Sequence, residues 1–125
     1  MKKLTTALVC AGLCLLAVPA HAGAERNETG NELLAKCTSE SYFNSGVCTG
    51  YVLGTLDMLS WWQVSEKKCF FDITSGVTVG QITDVVVKGL KANPETRDRL
   101  AMTLVSDYVM TAWPCKGDLT AGGVE

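Results

Sequence analysis

Hydrophobic and polar positions along this chain fall into blocks, and the period inside the blocks is that of a helix. Leu33, Leu34 and Cys37 share one helical face. They predict a short first helix capped by Asn31 and starting at Glu32. Residues 39–46 are rich in Ser, Asn and Gly and read as a turn. From about Gly46 to Val64, the residues Cys48, Tyr51, Val52, Leu56, Leu59 and Trp62 recur at three and four residues. That is one apolar stripe of a long second helix. Gly46, Gly50 and Gly54 form a second row on this helix at intervals of four. Glycine costs close to 1 kcal/mol at each helical position. The row is therefore either a close-packing site for another helix of the same subunit or a smooth contact between two subunits.

Residues 65–76 read as a loop. Thr78 and Gln81 then match a capping box, with Val77 and Ile82 at the staple positions. The run Val85-Val86-Val87 favours a strand by propensity. The cap and the spacing of Ile82, Val85, Val86 and Leu90 decide for a third helix over about Val79 to Lys91. Asn93-Pro94 closes that helix and opens the next. Leu100, Ala101, Leu104, Val105, Tyr108, Val109 and Ala112 make the longest clean apolar stripe, which Pro114 stops. The expected fold is all-α: a small disulfide-stabilised four-helix domain over residues 31–115. A flexible lead-in (23–30) precedes it, and a flexible tail (116–125) follows.

The N-terminal block differs. Lys2 and Lys3 precede an apolar run from Leu4 to Val18, and Pro19 leads into Ala20-His21-Ala22. This is the pattern of a secretory signal peptide, residues 1–22, cleaved after Ala22. A lipoprotein anchor would want a small residue before the cysteine, whereas Val9 precedes Cys10 and Leu13 precedes Cys14. No later apolar run is long enough for a membrane span. The expected location is the periplasm, with no membrane attachment after cleavage.

Export changes the composition. The chain has 125 residues, 47% hydrophobic, with 11 Lys+Arg, 13 Asp+Glu, six Cys and one His. Removing 22 residues, which include Lys2 and Lys3, leaves 103 residues and a formal charge of −4. That balance argues against a nucleic-acid partner. The only histidine, His21, leaves with the leader. A Ser-His-Asp or Cys-His site, a His-ligated zinc and a histidine pH switch are all excluded for the exported chain. Asn27-Glu28-Thr29 matches a glycosylation pattern, but the leader looks bacterial and gives it little weight.

Four cysteines remain: Cys37, Cys48, Cys69 and Cys115. An even number in a small exported domain reads as disulfides. Their spacings of 11, 21 and 46 contain neither a zinc-type pair nor a C-x-x-C redox motif. Short connections make consecutive helices antiparallel. Cys37 and Cys48 then flank the turn at one end, and Cys69 and Cys115 follow helices two and four at the other. The expected pairs are Cys37–Cys48 and Cys69–Cys115. A Cys48–Cys69 bridge is the alternative, open only if the second helix ends several residues before Ser65. A continuous second helix carries the chain about 26 Å, and four extended residues return only about 14 Å.

Asp57 and Asp84 are the carboxylates best placed to be considered for acid–base work. Asp84 has a simpler explanation in the favourable charge at a helix N-terminus, and Asp57 in a bond to a neighbouring helix end or an Arg. No phosphate loop, metal motif or cofactor signature is present, so no cofactor and no enzymatic activity are expected. The aromatic cluster Trp61, Trp62, Phe70 and Phe71, with Lys67, Lys68 and Asp72, is the candidate partner-binding surface. Filling the core of a small domain is the competing use of those rings.

The ordered motifs resemble a known family. Gly30-Asn31-Glu32-Leu33-Leu34 with Cys37 is followed by Cys48-Thr49-Gly50-Tyr51-Val52, Gly54, Asp57 and Cys69. Gly76-Val77-Thr78-Val79-Gly80-Gln81 with Asp84-Val85-Val86, then Asn93-Pro94 and Ala112-Trp113-Pro114-Cys115, complete the series. It is similar to the Rap/Tai family of periplasmic immunity proteins over Gly30 to Cys115. Trp113 stands where Phe is expected, and Gly89 where an aromatic is common. The resemblance implies a disulfide-bonded, all-helical protein, commonly a homodimer. Its implied partner is a toxic effector of a type VI secretion system, in the best-known cases a peptidoglycan amidase. A small periplasmic stress chaperone without a specific partner is the alternative.

Overall fold

The computed structural model describes residues 27–116. The expected signal peptide (1–22), residues 23–26 of the expected lead-in and the expected tail from residue 117 lie outside the described residues. Four helices occur in chain order: α1 (Gly30–Cys37), α2 (Tyr42–Glu66), α3 (Val79–Ala92) and α4 (Ala101–Ala112), with a 3-10 turn at Pro94–Thr96. Every helix packs on the other three, α1 mostly on α2 and α3 mostly on α4. The shared core consists of Leu33, then Val52, Leu56 and Leu59, Phe71 from the loop after α2, Ile82, Val86 and Leu90, and Ala101, Leu104, Val105 and Val109. Leu33, Val52, Val86, Leu90, Ala101, Val105 and Val109 are fully enclosed.

Three helix starts differ from the sequence reading. α1 is capped by Thr29, not Asn31: the Thr29 hydroxyl accepts from the Glu32 N–H, and the Glu32 carboxylate accepts from the Thr29 N–H. This capping box satisfies two otherwise unpaired donors at once, which Asn31 cannot do from inside the helix. The lead-in is also anchored from Glu28 onward. Gly30 N–H donates to Arg99 O (3.0 Å), Asn31 N–H to Arg97 O (2.8 Å), and Ala101 N–H to Glu28 O (2.8 Å). Glu28 also pairs with Lys36. Gly30 fits because it has no side chain: a Cβ there would lie 2.5 Å from Leu104 Cδ1 and 3.0 Å from Arg97 O.

α2 begins at Tyr42, four residues before the expected Gly46, so the turn shrinks to the segment between Thr38 and Ser41. Of the polar residues on its first turn, Ser45 is exposed and half-buried Asn44 donates to Ser39 Oγ (3.1 Å), so neither is selected against. Asn93-Pro94 does close α3, but it opens the 3-10 turn rather than α4. The Asn93 side chain donates back to Gly89 O (2.8 Å) and caps nothing ahead of it. By contrast, α3 begins as expected. Thr78 accepts from Gln81 N–H, and Gln81 Oε1 accepts from Thr78 N–H at 2.7 Å. Ile82 is buried, and Val77 packs against the core.

Both disulfides are as expected, Cys37–Cys48 and Cys69–Cys115, with Cα separations of 5.0 and 6.1 Å. The first ties the end of α1 to the second turn of α2. The second ties the residues following α2 and α4, so those two helix ends share one end of the bundle.

Candidate functional site

The C-terminal end of α2 builds the aromatic surface. The helix stops at Lys67, which takes a left-handed conformation (φ 50°) and lets the Lys68 N–H reach back to Gln63 O at 3.1 Å. A non-glycine residue adopts that conformation only under local constraint. Gln63 supplies one: its side-chain oxygen accepts from the N–H groups of both Phe70 (2.5 Å) and Phe71 (2.7 Å). Asp72 N–H donates to Trp113 O (2.9 Å), and the Cys69–Cys115 bond lies beside that contact. The loop after α2 is therefore held at three places, and its side chains point in fixed directions.

Those directions divide the five expected partner-binding residues. Trp61 is 69% exposed and Trp62 47% exposed. Trp62 meets Phe70 with ring centroids 5.6 Å apart, tilted by 54°. The Lys68 ammonium lies 5.9 Å from the centre of the Phe70 ring, a cation–π geometry. Phe70 is half-buried and Asp72 exposed. Phe71 is different: it is 8% exposed and belongs to the core. Phe70 lies at the edge of the core, packed against it and against Trp62, whereas Phe71 is inside it. Trp62 also departs from the core stripe on which its spacing placed it.

Asp57 and Asp84 are both exposed, on different helices. Among the described residues no group of three or more His, Cys, Asp or Glu side chains is placed to hold a metal ion. No described helix is long and apolar enough to cross a membrane.

Tyr42, Phe43 and Val64 were missed by the sequence reading, and they are 96%, 77% and 78% exposed. Residues 39–46 read as a turn, which hid the first two. Ser41 ahead of an aromatic pair was the available signal for an earlier helix start. Gly46, Gly50 and Gly54 lie near them, and a Cβ added at any of the three would meet nothing within 4 Å. Among the described residues, the row therefore packs against no other helix. Beside it runs an open groove of about 280 Å³ lined by Gly50, Tyr51, Gly54, Thr55, Met58 and Met102. Burial on the groove wall pushes the Tyr51 phenol above its usual value near 10.

Compared with protein families, the chain matches the model of the Rap1a immunity proteins over residues 29–115. The chain belongs to that family. The match starts at the Thr29 cap and ends at Cys115, so it covers all four helices and both disulfides. Searches of curated proteins and of solved structures returned no match. Rap1a membership agrees with the resemblance read from the ordered motifs, and it suggests an immunity protein against a secreted effector.

Proposed function

We propose that the protein is exported to the periplasm and there binds and inhibits a toxic effector delivered by a type VI secretion system. We place a peptidoglycan amidase first among effectors, and we take the working form to be a homodimer without catalytic activity of its own. The observation that carries this reading is the Rap1a match across the whole described helical domain. The exposed Trp61 and Trp62, with half-buried Phe70, beside Lys67 and Lys68 supply a surface of the kind that dominates binding energy at protein interfaces.

The test is co-purification of the tagged chain from the periplasm of a strain producing its own secretion apparatus, with mass spectrometry of what is bound. One stoichiometric cell-wall hydrolase is expected. A scatter of unrelated proteins would instead favour the stress-chaperone alternative. Against the isolated effector, Trp62→Ala is expected to weaken binding by more than about 1 kcal/mol, roughly fivefold or more, measured by calorimetry. Unchanged affinity removes the Trp62 corner from the interface.

A further inference from the structure

The two disulfides sit in unlike surroundings. Cys37 is the last residue of α1 and Cys48 lies inside α2, so helical backbone fixes both. Cys48 is 1% exposed, and Cys37 packs against the core. Cys69 and Cys115 lie outside the helices, in the segments that follow α2 and α4, and both are half-buried. Thiol–disulfide exchange needs an incoming thiolate to reach one sulfur and expel the other. An enclosed sulfur on a helix resists that approach, whereas a half-buried bridge between two loop segments admits it.

Charge separates the bridges in the same sense. Lys36 precedes Cys37, but its ammonium is bound to the Glu28 carboxylate, which cancels it. Lys67 and Lys68 precede Cys69, Lys116 follows Cys115, and all three are exposed. Glu66 and Asp72 are each three residues from Cys69, whereas Lys68 and Lys116 adjoin the two cysteines. Adjacent cations stabilise a cysteine thiolate, and a stabilised thiolate leaves faster.

We propose that Cys69–Cys115 is a thiol–disulfide exchange site for a dithiol protein, and that its state sets whether the end of α4 stays docked on the aromatic corner. One thiolate of the dithiol attacks a sulfur of the bridge, forms a mixed disulfide and expels the other cysteine as a thiolate. The second thiol of the reductant then closes its own disulfide and frees the second cysteine. Two electrons pass to the bridge, and the two cysteines take up the two protons that the dithiol gives up.

The consequence is local. Phe71 stays in the core, and Gln63 still accepts from the Phe70 and Phe71 N–H groups, so the loop keeps its hold on α2. The end of α4 loses more. Trp113 is two residues before Cys115, and the bond from Asp72 N–H to Trp113 O (2.9 Å) is left to tie the two segments without covalent support. A single hydrogen bond near solvent holds a chain end weakly. The binding role of the corner rests on the immunity reading above, whereas the exchange does not.

The test treats the exported chain with dithiothreitol as the dithiol and traps freed thiols with a maleimide at intervals. Peptide mass mapping is expected to find Cys69 and Cys115 labelled at least about tenfold faster than Cys37 and Cys48. Equal rates, or earlier opening of Cys37–Cys48, overturn the site. All three tryptophans, Trp61, Trp62 and Trp113, lie at or beside this end of the bundle. Their emission is expected to move to longer wavelength as the bridge opens, with helical circular dichroism retained. An unmoved emission, or helix lost together with the bridge, overturns the local release.

Two variants locate the effect. In Trp113→Phe the shift is expected to disappear, and a shift that persists overturns release of the α4 end. In the double variant Lys68→Gln, Lys116→Gln, opening is expected to slow at least about threefold, and an unchanged rate overturns the part given to the lysines. No readout involves an effector, so any of these failures leaves the immunity reading standing.

Discussion

At Gly89 the missing side chain is itself a packing feature. A Cβ there would lie 2.6–2.7 Å from three ring atoms of Tyr108, so the α4 ring occupies the space a larger residue would need. This accounts for glycine where the family resemblance leads one to expect an aromatic: one ring fills the gap, and here α4 supplies it. Gly89→Ala gains up to about 1 kcal/mol in helix propensity but forces a shift of a rigid ring, which costs about 1–3 kcal/mol. Urea denaturation is expected to show a net loss. In a Tyr108→Ala background, which removes all three of those atoms, the same change is expected to become neutral or stabilising. Phe71 gives the complementary case. Because it lies in the core, Phe71→Ala is expected to cost about 3–5 kcal/mol in unfolding free energy. Any loss of effector binding should follow the fraction unfolded. Sequence identified the aromatic cluster, but which ring of Phe70-Phe71 turns inward depended on the Gln63 oxygen seven and eight residues back.

At the scale of the elements, the helix starts divide by mechanism. α1 and α3 begin with reciprocal capping boxes, at Thr29/Glu32 and Thr78/Gln81, whereas Ser41 at the start of α2 makes no side-chain cap bond. Thr78→Ala is expected to cost about 1 kcal/mol, and Ser41→Ala to stay within about 0.5 kcal/mol, both read from thermal or urea unfolding. The box at α3 was legible because it immediately precedes an apolar run. The box at α1 was not, because the residues before it look like a polar lead-in. What orders them is pairing with the segment ahead of α4, some seventy residues away, through Gly30, Asn31 and Ala101. The start of α2 was misread for a related reason. Its first turn contributes no core residue, so no buried apolar position marks it.

On the scale of the whole molecule, the two disulfides hold different amounts of the chain. Cys37–Cys48 closes a separation of 11 residues and Cys69–Cys115 one of 46. In the chain-entropy model these contribute about 3 and about 4 kcal/mol. The paired Cys69→Ser, Cys115→Ser variant is therefore expected to lose more stability than the corresponding Cys37, Cys48 variant. Denaturant midpoints of the two would check this, and the reverse order would point to structure left in the unfolded chain. A domain of this size has only about 5–15 kcal/mol in total, so the longer bridge decides whether the end of α4 stays against the Trp62 corner.

The sequence by itself determined the all-helical class, the two cysteine pairs and the α3 start. Each depends on period, local cap chemistry or the rigid length of one helix, all of which are short-range. Tertiary structure alone decided the anchoring of Glu28 to Asn31, the inward turn of Phe71, and the bare outer face of α2. Each of those depends on which distant surface arrives to cover a residue, and hydrophobic periodicity records that a residue is apolar without recording what covers it.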